Sequence, residues 1–290
     1  MSEWVIEVEG LCKSYGPTEV LKGLDLSVER GQIYGFLGRN GAGKSTCIRT
    51  LVGILVIDKG QVRLFGEPMG TGNISLRSRI GYVAQEQNFY PWMTPRALGD
   101  FVRGFYPNWD DQLYDSLLSS LELPRDRKVG AFSGGMKAKQ ALALALSHRP
   151  PLLILDEPTA GLDPVARREF FRIVREETKE HGTTILFSSH LITEVERVSN
   201  QLGIIDGGVT HYQGSVTELA LRVKSVRGLP PEWVAPPEMQ VLRKDDEETV
   251  FFFDSSEQLP HLLGEHPEAY ESPLTLEDIF VELVTRSKVS

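Results

Sequence analysis

Cysteine is scarce. Only Cys12 and Cys47 occur, in no metal-ligand spacing. A disulfide-stapled fold and a cysteine-built metal site are thereby disfavoured, and two reduced structural thiols are expected. Long apolar runs are missing too: the most apolar short stretches, 141–146 and 152–155, fall far below the ~18 residues a membrane-spanning helix needs. The opening MSEWVIEVEG lacks a basic segment followed by an apolar core, so no secretory signal is expected. If this chain serves a membrane, another polypeptide crosses it. Nor is there an excess of positive charge: 31 Lys and Arg face 40 Asp and Glu, a net charge of −9. That lowers the expectation of nucleic-acid binding without excluding a local basic groove. No internal repeat is visible.

What is present is an ordinary globular composition, 41% hydrophobic and 24% charged over 290 residues, enough for one large domain or two unequal ones. Trp4, Ile6 and Val8 alternate, as do Leu24, Leu26 and Val28, the period of half-buried strands. Residues 33–37 form a short apolar run ending at Gly38, residues 44–55 read as helix, and 60–65 as strand again. Between Gln85 and Ser147 the texture is helical, with Phe101, Phe105 and Tyr106 marking one amphipathic stretch and Leu113, Leu117, Leu118 and Leu121 another. Strands resume at 152–155, 183–187 and 202–205, with a charged helix near 165–180. Strand and helix in alternation argue for a mainly parallel α/β sheet with a helical insertion. From about 216 the pattern changes. Residues 229–237 carry four prolines, 241–243 and 249–253 flank an acidic turn, and Thr275 with Asp278 caps a stripe of Leu276, Ile279, Phe280 and Leu283. A small α+β accessory domain over 216–290 is expected.

Gly38-Arg39-Asn40-Gly41-Ala42-Gly43-Lys44-Ser45, followed by Thr46, satisfies G-x-x-x-x-G-K-[ST]. Glycines let the backbone curl so that successive N–H groups face phosphate oxygens, and the following helix adds its positive end. Lys44 can reach β- and γ-phosphates and the Ser45 hydroxyl can ligate Mg²⁺. The pattern arises by accident in on the order of 1% of chains this long. Here it also lies between an apolar strand and a helix. Asp156 and Glu157 end the run 152–155; at a strand tip they could form a solvated turn, but beside a phosphate loop Asp156 can hold Mg²⁺ and Glu157 can polarise an attacking water. Ser133-Gly134-Gly135 opens the helical run 137–147 and reads either as a simple cap or as a second anion site.

Together these motifs resemble the ATP-binding-cassette family over residues 1 to about 215. The resemblance implies a P-loop NTPase cassette with N-terminal antiparallel strands, a mainly parallel sheet and a helical insertion near 86–147. Residues 38–46 look like its phosphate loop, and Ser133, Gly134 and Gly135 like its signature motif. Gln85 matches the glutamine that links Mg²⁺ and the attacking water to the insertion. Glu157 matches the catalytic glutamate, and His190 the switch histidine on the γ-phosphate. Asp163, in Ala160-Gly161-Leu162-Asp163, matches the loop that crosses the dimer, and Tyr15 the aromatic that stacks on adenine. Phe132 stands where leucine is usual and Met136 where glutamine is commoner, which touches only the signature's packing. The implied activity is ATP hydrolysis with Mg²⁺, two cassettes sandwiching two ATP molecules and driving a separate integral-membrane permease from the cytoplasmic face, most resembling stand-alone bacterial exporter cassettes. A soluble cassette acting on ribosomes or nucleic acid is the alternative; neither a second cassette nor a long coiled-coil insertion accompanies it here. The aromatic stretch Phe89, Tyr90, Trp92 and Met93 is read as a docking site for the membrane subunit or as the insertion's own core.

Overall fold

The computed structural model describes residues 4–230, 232–236, 239–255 and 257–285. Pro231 and Pro237 of the proline-rich segment lie outside them.

The alternating N-terminal residues form β1 (Trp4–Tyr15) and β2 (Thr18–Glu29), an antiparallel hairpin whose Ile6, Val8, Leu24, Leu26 and Val28 are buried. Trp4, at the strand's start, is more than a third exposed. β3 (Ile33–Gly38) is buried along its whole length and delivers the chain to α1 (Lys44–Leu51). That helix ends four residues short of the expected Leu55, in a turn where the N–H groups of Ile54 and Leu55 both donate to Arg49 O. β4 (Lys59–Leu64) and β5 (Glu67–Pro68) complete a four-stranded sheet in the order β2-β1-β4-β5.

After α2 (Ile74–Arg77) and β6 (Ile80–Val83) comes the insertion: α3 (Pro95–Arg103), α4 (Asp111–Ser120) and α5 (Gly134–Leu146). Thr94, Asp110 and Ser133 cap these three helices, each accepting a backbone N–H three residues on. Leu117, Leu118 and Leu121 are buried as their spacing foretells. Phe101 and Phe105 are not: they are 46% and 65% exposed, and Leu98 and Gly99 take the inward face of α3 in place of Phe101.

The chain then returns through β7 (Leu152–Asp156), α6 (Pro164–His181), β8 (Thr184–Ser189), α7 (Ile192–Val198), β9 (Gln201–Asp206) and β10 (Val209–Ser215). The central sheet runs β10-β9-β3-β8-β7-β6, parallel throughout except for the antiparallel edge strand β10. β7 and β8 are buried end to end, so each apolar side chain contributes about 1.5–3 kcal/mol by leaving water. The carboxyl ends of β3, β7 and β8 converge, which is where open parallel sheets hold ligands.

Beyond β10 lie α8 (Val216–Arg222), β11 (Val223–Arg227), β12 (Gln240–Lys244), β13 (Glu248–Phe252), α9 (Gln258–Glu265), β14 (Tyr270–Ser272) and α10 (Leu276–Thr285). Their strands form an antiparallel sheet, β12-β13-β11-β14. Thr275 and Asp278 form a reciprocal capping box at the start of α10. Phe251, Phe253 and Leu262 make a small core of their own, yet Leu276, Ile279, Phe280 and Leu283 of α10 join the large core of the central sheet.

Candidate active site

The loop between β3 and α1 owes its shape to two glycines. Gly43 sits at φ 106°, a region L side chains avoid, and a Cβ on Gly38 would lie 2.5 Å from the Ile205 carbonyl oxygen. The loop, with Val20, Gln85 and Glu157, lines a cleft of about 370 Å³. Arg39, Asn40, Gly41, Ala42, Gly43, Lys44, Ser45 and Thr46 all face it.

Lys44 is 5% exposed and its ammonium is fully engaged. Nζ donates to Gly38 O at 2.7 Å and Arg39 O at 3.2 Å, and lies 3.2 Å from Glu157 Oε1. The other oxygen of Glu157, Oε2, is 2.6 Å from His190 Nδ1. Lys44, Glu157 and His190 thus form one chain of contacts. Glu157 follows β7 in a left-handed conformation, φ 48°, a strain of about 1–3 kcal/mol of the kind concentrated at functional sites. Its N–H donates to Ser188 Oγ at 2.9 Å, which holds the kink.

Asp156, at the end of β7, accepts from Ser188 Oγ at 2.8 Å and Ser45 Oγ at 3.1 Å. Burial pushes its carboxyl upward, the two serine hydroxyls pull it back, and the neighbouring Glu157 adds to the rise. A buried carboxylate beside a helix-start hydroxyl can share a hard cation with phosphate oxygens. Among the described residues no group of three or more His, Cys, Asp or Glu gathers into a protein-only metal cage. Magnesium, which keeps waters and substrate oxygens, fits such a sparse donor set.

Of the remaining expected residues, Gln85 reaches the cleft and the others lie elsewhere. Gln85 follows β6, exposed at the cleft rim. Tyr15 is exposed at the tip of the β1–β2 hairpin and does not line the cleft; the Lys13 ammonium sits 5.9 Å from its ring. Ser133 and Gly134 are exposed at the start of α5, also outside the cleft, with Ser133 Oγ accepting Met136 N–H at 3.2 Å. Gly135 is half-buried there, its Cα facing Leu162. Asp163 caps α6, accepting from Val165 and Ala166 N–H, and these bonds hold its carboxyl below the usual range. Ser188 and Glu194 are the side chains that sequence reading passes over. Ser188 could have been found, since it stands near the end of a strand two residues before His190.

Of the aromatic stretch, Phe89 and Met93 pack on the large core, while Tyr90 and Trp92 are half or more exposed. Trp92, Tyr90, Phe101 and Phe105 form a ladder of rings with successive centroids 5.2, 6.1 and 5.4 Å apart. One half of this stretch is therefore core and the other half is surface.

A glycine loop joining a parallel strand to a helix, with a strand-end carboxylate on its serine, defines a P-loop nucleoside triphosphatase. Comparison narrows this. Residues 21–160 match the ABC transporter family. The chain is similar to the bacitracin transport ATP-binding protein BcrA of Bacillus licheniformis, 39% identical over 209 residues, covering 70% of this chain and 67% of that one. It is similar over 99% of both chains to the Nod factor export ATP-binding protein I of Rhizobium sp. (strain N33), at 35% identity. A solved ATP-binding subunit of an ABC transporter superposes with TM-score 0.69 at 28% identity, over 74% of this chain and 91% of that chain. The chain belongs to the ABC transporter ATP-binding family and is an ATPase subunit of such a transporter. No helix among the described residues is long and apolar enough to cross a membrane.

Proposed function

We propose that this subunit hydrolyses ATP at a site completed by a second cassette, and that closure and reopening of the pair drive a separate membrane-spanning permease. The observation that carries this reading is a division of parts. Lys44 and Glu157 line one cleft and His190 contacts Glu157, while Ser133 and Gly134 stand exposed outside that cleft. A second anion-binding helix end on one chain has a use if it caps the γ-phosphate held by a partner.

Triphosphate entering the loop competes for the Lys44 ammonium and frees Glu157 Oε1. Glu157 then accepts a proton from water as the water attacks the γ-phosphorus, with ADP leaving. His190 keeps Glu157 aligned through Nδ1 and turns its other face to the γ-phosphate. Ser45, Asp156 and Gln85 would hold Mg²⁺, which when bound offsets charge on the β- and γ-phosphate oxygens. Tyr15 stacks on adenine. Ser133, Gly134 and Gly135 reach the partner's ATP, and the loop at Asp163 crosses the interface. Loss of the γ-phosphate removes the bridge and lets the pair reopen.

The exposed ladder of Tyr90, Trp92, Phe101 and Phe105 is the docking surface for the permease, aromatic rings being the side chains enriched in interface cores. This arrangement puts the subunit on the cytoplasmic face of the membrane. An export direction is supported by the similarity, over 99% of both chains, to the Nod factor export ATP-binding protein I of Rhizobium sp. (strain N33). The net charge of −9 weighs against nucleic acid as the partner. Residues 216–290 act as an accessory unit that steadies the pair. Glu157→Gln tests the assignment: ATP affinity should persist while turnover falls by about 10²–10⁴-fold. Ordinary hydrolysis by that variant would remove Glu157 as the base.

A further inference from the structure

Glu194 lies on α7, 4% exposed, with both carboxylate oxygens occupied. Oε1 accepts from Thr159 Oγ1 at 2.6 Å, and Oε2 accepts from Ser189 Oγ at 2.7 Å. Arg167 Nε of α6 stands 3.3 Å from Oε1, close enough for an ion pair but not aligned as a hydrogen bond. Thr159 is two residues past Glu157, and Ser189 immediately precedes His190. One buried carboxylate therefore holds the two loops that carry the proposed base and switch.

The mount is rigid. Val195 and Val198 are buried, and Val195 packs so tightly on β3 that a Cβ on Gly35 would lie 2.7 Å from its Cγ1. The loops it holds are otherwise pinned by a few polar contacts, among them Glu157 N–H to Ser188 Oγ and Glu157 Oε2 to His190 Nδ1. His190 has a side chain 43% exposed, so packing alone does not set its ring. Glu157 sits in a strained conformation that needs outside support.

We propose that Glu194 is a positioning residue: its carboxylate clamps the Glu157 loop to the His190 loop through Thr159 and Ser189, and ties both to α6 through Arg167. This rests on the roles of Glu157 and His190 given above. Displacing a reacting group by about 1 Å costs on the order of 10²-fold in rate, so the clamp acts on turnover rather than on nucleotide affinity.

The test uses the full chain, with steady-state ATPase kinetics, equilibrium ATP binding and thermal unfolding measured on each variant. Glu194→Ala should lower kcat about 10–100-fold with KM and ATP affinity within about twofold of the parent. Glu194→Gln keeps an acceptor for one hydroxyl and a donor for the other, and should recover most of the rate. Thr159→Val should lose part of it and be non-additive with Glu194→Ala. The clamp is wrong if Glu194→Ala turns over normally, if Glu194→Gln is no better than Glu194→Ala, or if kcat falls only in step with ATP affinity and folded fraction. Should Glu194→Ala not fold, Glu194→Gln with Thr159→Val decides by the same kinetic split. Glu157→Gln runs alongside. If it hydrolyses normally the underlying site assignment fails; if it is inactive while Glu194→Ala is normal, only the clamp fails.

Discussion

Two helix starts on this chain are proposed to meet phosphate, and they are finished to different degrees. At α1, Lys44 is held by two carbonyls and Glu157, Asp156 by two hydroxyls, and Glu157 by His190. At α5, Ser133 makes a single cap bond and, with Gly134, faces solvent. The first is preorganised, with its charges already desolvated and paired. The second has only the Ser133 cap on Met136 N–H to close it, with Ser133 and Gly134 turned to solvent. That asymmetry is the observation behind the proposed two-chain active site.

That contrast can be broken from either end. The largest effect should come from Lys44→Ala. It removes the phosphate contact and strips buried Glu157 of its cation, so ATP binding and turnover should both fall by 10²-fold or more, read by equilibrium binding and phosphate release. Ser133→Glu attacks the other end. A carboxylate aimed at a partner's phosphate should cut turnover about 10–100-fold, while a single chain still binds ATP with parental affinity. Equal loss of binding in both variants would mean the two helix ends serve one chain.

Smaller effects probe the joints. His148, buried at the end of α5 and stacked on Tyr106 at 4.0 Å, connects the insertion to β7. Burial holds its imidazole down to about 4, against 6.5 for the free side chain. Between those values the unfolded chain takes up a proton that the folded chain does not. Stability should therefore be full above pH 6.5 and fall by on the order of 2–3 kcal/mol as pH drops toward 4. His148→Phe keeps a stacking ring without the titration, and its melting temperature should depend less on pH across that window. Smallest of all, Thr275→Ala removes the cap of α10 and should cost about 1 kcal/mol in denaturant unfolding.

The parts legible in the sequence were those whose meaning is local. Gly41, Gly43, Lys44 and Ser45 announce a phosphate loop because backbone curvature and helix start are set within a few residues. The apolar run of β7 announces a buried parallel strand, and the Thr275–Asp278 spacing announces a cap. What stayed hidden depends on distant partners. Thr159, Ser189 and Glu194 meet through three separate elements, and no spacing along the chain shows it. The exposure of Phe101 and Phe105 was equally hidden, because an aromatic face on a short helix points inward or outward according to its neighbours. The sequence marked a change of pattern near 216 but not that α10 would insert its stripe into the large core.

The shared site is tested most directly by sedimentation velocity on Glu157→Gln with saturating ATP and Mg²⁺. The expected result is a dimer that forms only with ATP, persists because hydrolysis is blocked, and disappears when Ser133→Glu is added. A Glu157→Gln chain that binds ATP and remains monomeric would contradict it.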